Sequence, residues 1–188
     1  MRLFVAIDIN DDIKEKLSVL QKSISQQCML KRFDVKWVLP EQMHLTLKFF
    51  DKVKDAESFE ICRIVESVAA KKSSFELEFE AVGSFGGSRA SVVWVGTGPG
   101  SDKLQNLQKD LENKFVSNGW SGDNRAFSGH LTLCRVKNPG TGYKLKKACT
   151  SYKDFKAGSV FVDSVAVYSS QLTSDGPVYS VVGRYKLQ

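Results

Sequence analysis

Apolar positions along the chain alternate between a period of two, for strands, and about 3.6, for helices. Residues 2–9 (RLFVAIDI) are rich in aliphatic and aromatic side chains and read as a buried strand. Asn10 and Asp11 then supply helix-start chemistry. Ile13, Leu17, Leu20, Ile24 and Cys28 follow at steps of four, three, four and four, which predicts an amphipathic helix over 11–28. A short strand over 35–38 (VKWV) stops near Pro40, and 44–50 (HLTLKFF) reads as another strand. A second helix is predicted from about 56 to 70, with Phe59, Cys62, Val65 and Ala69 inward. Residues 75–82 (FELEFEAV) alternate, placing Phe75, Leu77 and Phe79 on one face.

The second half repeats this order. A strand over 91–96 (SVVWVG) precedes a helix marked by Leu104, Leu107, Leu111 and Phe115, which Gly119 can end. A strand over 130–135 (HLTLCR), a short helix near 143–152 and strands over 160–168 and 178–186 follow. His44-Leu45-Thr46-Leu47 recurs as His130-Leu131-Thr132-Leu133 at an offset of 86, and the strand beginning at Phe75 matches one beginning at Phe161 at the same offset. The opening strand matches 91–98 at an offset of 89. This is an internal duplication. It predicts an α+β fold in a single compact domain over 1–188, with repeat halves of approximately 1–86 and 87–188 forming two packed lobes and a turn-like boundary near 84–88.

Composition narrows the class. The chain has 188 residues, 42% hydrophobic and 26% charged, which excludes wholesale disorder. No apolar run reaches the length of a membrane span, and no signal-peptide pattern follows the first residues, so a cytoplasmic monomer is expected. Cys28, Cys62, Cys134 and Cys149 make no C-x-x-C pair and are expected as free thiols. The net charge of +6 is spread over small clusters; it is compatible with a phosphate-rich partner without selecting one.

The two histidines of the chain both lie in the repeated H-x-T-x. On a strand this spacing puts His44 with Thr46, and His130 with Thr132, on one face, while the leucines bury on the other. Two such strands facing each other would bring two imidazoles and two hydroxyls across a cleft. One neutral imidazole can take a proton from an attacking oxygen and one protonated imidazole can give a proton to a leaving oxygen. The hydroxyls can hydrogen-bond the oxygens of a phosphate between them. That chemistry suits phosphodiester cleavage without metal or cofactor, and no carboxylate or thiol stands at a spacing that would complete a metal site with the histidines. By alternation Lys48 is in phase with His44, where it could neutralise phosphate, and Cys134 is in phase with His130. Gly96–Gly100 lacks the register of a phosphate-binding loop and reads as a turn before a helix. Trp37 and Trp94 read as core. Phe127, beside Arg125 in a polar loop before the second motif, reads as the aromatic placed to stack a base.

The paired motifs, the opening RLFVAIDI, WVLPEQMHLTLKF, FSGHLTLCR and the closing SQLTSDGPVYSVVGRY resemble the 2H phosphoesterases, and within them the RNA 2′,3′-cyclic phosphodiesterase (ThpR/LigT, "2′-5′ RNA ligase") group. The resemblance implies a bilobal fold with two antiparallel sheets lining a central cleft and helices outside. It implies His44 as proton donor and His130 as proton acceptor, with RNA ends or nucleotides bearing a 2′,3′-cyclic phosphate as partners. The reaction would yield a 2′-phosphate, and an RNA 5′-hydroxyl replacing water would give 2′-5′ ligation. Arg135 matches the arginine that follows the family's second motif. Strict alternation turns it away from His130, so a role on phosphate requires a bulge or strand end there. The family commonly has Pro before the second histidine and Ala before that arginine; here Gly129 and Cys134 stand in those places, and Gly129 would leave the approach to the strand looser. The alternatives are a phosphodiesterase on small cyclic nucleotides or 2′-5′ oligonucleotides, and a nucleotide- or RNA-binding module without turnover. Retention of both histidines and both threonines argues against the module.

Overall fold

The computed structural model describes residues 1–173 and 176–188; Ser174 and Asp175, within the closing segment named above, lie outside the described residues. The first half contains β1 (Arg2–Asp8), α1 (Asp11–Gln27), β2 (Val35–Trp37), β3 (His44–Phe50), α2 (Asp55–Ala69) and β4 (Phe75–Phe85). The second contains β5 (Val92–Thr97), α3 (Ser101–Ser117), β6 (His130–Val136), α4 (Pro139–Cys149), β7 (Lys156–Val162), β8 (Ser164–Thr173) and β9 (Gly176–Lys186). Local chemistry explains the principal helices. The Asn10 side chain accepts from the Ile13 amide at 3.0 Å and caps α1, whose buried stripe is Ile13, Leu17, Leu20 and Ile24. In α3, Leu104, Leu107, Leu111 and Phe115 are buried as their spacing predicts.

Two elements differ from expectation. In α2 the buried stripe is Ile61, Ile64, Val65, Val68 and Ala69, and Phe59 is exposed. Both stripes have helical spacing, and the β-branched one carries more apolar surface to the sheet. The strand expected over 160–168 is two strands, broken at Asp163, because the chain leaves one sheet at Val162 and enters the other at Ser164.

The sheets are antiparallel, in the orders β3-β1-β8-β9 and β2-β6-β5-β4-β7. Setting β3, β1, β8 and β9 against β6, β5, β4 and β7 exposes the two-fold repeat. The sheets do not correspond to the sequence halves, however. β2 and β4 of the first half join the second half's strands, and β8 and β9 join those of the first. Alternation along a single strand cannot reveal which sheet that strand enters.

Helices α2 and α3 pack together, α2 lies over β8 and β9, and α1 packs against β7 and α4. One continuous apolar core runs through both sheets, from Leu3 and Val5 to Leu131 and Leu133. The motif strands β3 and β6 come side by side where the sheets meet. The leucines of each motif therefore anchor in a shared core while its polar residues face the gap between the lobes.

Candidate active site

Each motif opens its strand. Leu45 and Leu47 in β3, and Leu131 and Leu133 in β6, are almost fully buried, whereas His44, Thr46, His130 and Thr132 are half-buried. All four polar residues border one cleft of about 260 Å³, together with Arg135 and Tyr179. Among the described residues four hollows are larger; the two biggest, of about 550 and 580 Å³, lie beside Arg2 and Asp51 and between α1 and Phe155, and none of the four is lined by a histidine.

The imidazoles are held alike. His44 Nδ1 is 2.8 Å from the Gln42 carbonyl, and His130 Nδ1 is 2.7 Å from the Ser128 carbonyl, two residues back in each case. A carbonyl only accepts, so each Nδ1 carries a proton and donates it. Nε2 is left as the atom that can exchange a proton in the cleft. His44 stacks on Phe4, with ring centroids 4.5 Å apart, and meets Tyr179 edge-on at 5.3 Å. His130 meets the edge of Phe85 at 5.0 Å and lies 6.2 Å from Trp94. Gly83, directly across from Trp94, lets that indole lie flat: a Cβ there would fall 2.2 Å from the ring.

Burial disfavours the charged imidazole and pulls both histidines below their ordinary pKa. The backbone hydrogen bonds oppose this in both. The nearest charges act in opposite senses: Asp8 raises His44, and Arg135 lowers His130 further.

Matching β-bulges decide which later residues reach the cleft. In β3, Thr46 pairs with Ala6 and Lys48 with Val5, leaving Leu47 extra. In β6, Thr132 pairs with Trp94 and Cys134 with Val93, leaving Leu133 extra. Each bulge turns two successive side chains inward and the next outward. Arg135 consequently borders the cleft with His130, as the bulge condition required. The surplus Leu133 carbonyl accepts from the Val38 amide and from Gln21 Nε2, both at 2.9 Å, so the bulge leaves no buried acceptor unpaired there.

The same bulges overturn two expectations. Lys48 is not at the phosphate position; it is 4% exposed and pairs with Glu112 at 2.7 Å while donating to the Ser121 carbonyl at 3.1 Å. It ties β3 to the loop that leads to the second motif. Cys134 is fully buried, and desolvation pushes its thiol up to about 12, so it faces away from His130 and is no nucleophile. All four cysteines are free.

Phe127 is also displaced from its expected role: it packs against the core and does not border the cleft. The loop carrying it is polar, and Lys48 holds that loop earlier, at Ser121 and Asp123. Packed against the core as expected, Trp37 borders the cleft as well. So do Lys36, Gln42 and Tyr179, which sequence reasoning did not single out. Only Lys36 and Gln42 carried a signal, being polar residues close to the first motif. Tyr179 arrives from the far end of the chain through the β8–β9 pairing. Gly129 does not loosen the approach to β6, because a Cβ there would lie 2.5 Å from Leu104 of α3; the missing side chain lets the backbone pack down. Among the described residues no group of three or more His, Cys, Asp or Glu is arranged to hold a metal ion, and no helix is long and apolar enough to cross a membrane.

Known proteins are similar to this chain in sequence and in fold. The family of LigT-like phosphoesterases matches the chain twice in succession, over residues 7–94 and 95–179. The RNA 2′,3′-cyclic phosphodiesterase of Methanothermobacter thermautotrophicus is 31% identical, over 100% of this chain and 99% of the relative. The protein of the same name from Thermotoga maritima is 34% identical, over 97% and 93% of the two chains. Among solved structures, Escherichia coli LigT in complex with 3′-AMP aligns with a TM-score of 0.77 at 24% identity, covering 99% of this chain and 97% of the other. The TT0787 protein of Thermus thermophilus aligns with a TM-score of 0.71 at 22% identity, covering 100% and 98%. The likeness to these structures is one of fold. The chain belongs to the LigT-like phosphoesterase family, and is thus a phosphoesterase.

Proposed function

We propose that the protein hydrolyses the terminal 2′,3′-cyclic phosphate of RNA to a 2′-phosphate by two-histidine acid–base catalysis. The observation that carries this reading is the cleft itself: two H-x-T half-sites converge on it, each with Nδ1 engaged by a backbone carbonyl and Nε2 available. The names of the relatives, RNA 2′,3′-cyclic phosphodiesterases, supply the substrate class.

Water enters opposite the 3′ oxygen, and His130 Nε2 takes one of its protons as the oxygen attacks phosphorus. The P–O3′ bond breaks, and protonated His44 gives its Nε2 proton to O3′. The products are a 2′-phosphate and a free 3′-hydroxyl, with each histidine left in the other's starting protonation state until solvent exchange restores them. Thr46 and Thr132 donate hydrogen bonds to the non-bridging oxygens, and Arg135 offsets the charge that builds on them. An RNA 5′-hydroxyl attacking in place of water, with the same two proton transfers and the same P–O3′ bond broken, gives 2′-5′ ligation. Neither reaction calls on ATP.

The test incubates the protein, with EDTA present, with RNA ending in 2′,3′-cyclic phosphate and, separately, with mononucleoside 2′,3′-cyclic phosphates. Phosphorus NMR reads the position of the product phosphate. A 2′-phosphate from RNA is expected; a 3′-phosphate, or complete loss of turnover in EDTA, overturns the mechanism. Faster turnover of the mononucleotides would favour a small cyclic nucleotide as substrate.

A further inference from the structure

A two-fold repeat by itself yields two equal half-sites. The motifs are the same, and each imidazole makes the same hydrogen bond to the carbonyl two residues back. Nothing in H-x-T-x decides which histidine gives a proton and which takes one. The flanking positions do differ. On the strand beside the motif, Asp8 is the register partner of His44, whereas the partner of His130 is Gly96. Beyond the bulges, the first half-site has Phe49 where the second has Arg135. One half-site thus holds a carboxylate and no equivalent cation, and the other holds the cation and no equivalent carboxylate.

We propose that Asp8 is a positioning residue that polarises the histidine pair: its clamped carboxylate beside His44, set against the Arg135 guanidinium beside His130, makes two symmetry-related imidazoles unequal and assigns the proton to His44. This rests on the two-histidine reading above. The carboxylate is fixed from two other strands. Its Oδ1 accepts from the Tyr168 hydroxyl at 2.6 Å, and its Oδ2 pairs with Arg184 Nη2 at 2.6 Å. Arg184 also reaches the Tyr168 hydroxyl at 3.4 Å. The Tyr168 ring stacks on Phe4 at 5.2 Å, and Phe4 stacks in turn on His44. All four strands of this sheet therefore contribute to the setting of one imidazole.

The groups around His44 are Asp8 from β1, Tyr168 from β8, and Tyr179 and Arg184 from β9. Across the cleft stand His130 and Arg135 from β6 and Lys36 from β2. Among these Asp8 alone is an anion. Arg184 reduces the field of Asp8 at His44, yet its guanidinium keeps its charge across the working range and holds the carboxylate in place. The net influence of Asp8 is to favour the protonated imidazole against burial, and that of Arg135 is to favour the neutral one.

With only two histidines in the chain, the test is direct. The full-length protein, carrying 13C-labelled histidine and no substrate, shows two imidazole signals, assigned with His44→Gln and His130→Gln. Asp8→Asn is expected to lower the His44 midpoint by about half to one pH unit, the low end for a neighbouring charge because the cleft is open to solvent, and to leave His130 in place. Arg135→Met is expected to raise the His130 midpoint by a similar amount. A folded Asp8→Asn protein whose His44 midpoint is unmoved, or whose two midpoints fall together, overturns the proposal. If Asp8→Asn does not fold, Arg135→Met decides: a His130 midpoint that stays or falls overturns it. The titration needs no turnover, so absence of activity on RNA would sink the substrate reading without touching this result.

Discussion

Leu47 and Leu133 are the unpaired residues of two matching β-bulges, 86 positions apart, and each directly follows a motif threonine. The bulges separate Lys48 from Arg135. The lysine is turned under the sheet to hold a loop, while the arginine is turned into the cleft. The two cations should fail in different ways. Arg135→Ala is expected to lower kcat/KM on a cyclic phosphate by about 10- to 100-fold, the loss of one charged hydrogen bond, with little change in stability. Lys48→Met is expected to cost about 3 kcal/mol of unfolding free energy in urea, the low end for a broken buried pair because Glu112 keeps some contact with water. An Arg135→Ala enzyme of full activity would remove the arginine from the phosphate.

Replacement of either histidine should leave a folded protein with almost no chemistry. His44→Ala and His130→Ala are each expected to lose on the order of 10²-fold or more in kcat, while a non-hydrolysable nucleotide still binds. Steady-state kinetics together with calorimetric binding separate the two effects. A single variant retaining full turnover would break the acid–base pair.

The kcat/KM profile against pH should be bell-shaped, because one imidazole must be protonated and the other neutral in the free enzyme. Both histidines are drawn below their ordinary value by burial, so the optimum should lie on the acid side of 6.5, with activity falling through neutrality. An optimum above neutrality would mean that groups other than these two control the profile.

The same depression links pH to stability. Below the ordinary histidine value the unfolded chain takes up protons that the folded chain refuses, so folding is favoured above about 6.5 and weakens as pH falls toward the lowered native values. Urea unfolding at pH 7.5 and 5.5 should show the loss. In the His44→Gln, His130→Gln double variant the difference should shrink, and an unchanged difference would place its origin elsewhere.

Gly83→Ala tests the wall behind His130. Its Cβ would fall 2.2 Å from the Trp94 ring, so the indole must move, at a cost of about 1–3 kcal/mol. Near-ultraviolet circular dichroism should change and activity should fall along with stability. A variant matching the parent in all three would mean that the indole has room to retreat.

What the sequence disclosed follows the range of the forces involved. The stripe of α1 and the alternation in β3 and β6 are local, so these elements and the setting of the two H-x-T pairs could be read from spacing alone. The bulges at Leu47 and Leu133 reverse the side-chain phase without leaving a mark in the pattern, which is why Lys48 and Cys134 seemed to face the cleft. Phe127 has polar neighbours in sequence, whereas its packing against the core involves residues distant along the chain. Tyr179 becomes part of the site only through pairing between opposite ends of the chain, and the same pairing brings Tyr168 and Arg184 to Asp8, which the β1–β3 register sets beside His44.

That pairing has one more consequence. Because β4 and β8 cross to each other's sheets, the molecule has the connectivity of a strand-exchanged dimer made permanent by a peptide link. Two copies of one repeat, assembled as separate chains, would be bound to identical half-sites: any carboxylate given to one histidine would be given to both. Fusion lifts that restriction. Once the copies are consecutive stretches of a single chain, Asp8 can arise in one without appearing in the other, and Arg135 likewise. The covalent join therefore secures more than equal numbers of the two halves, for it lets a symmetric architecture acquire a direction.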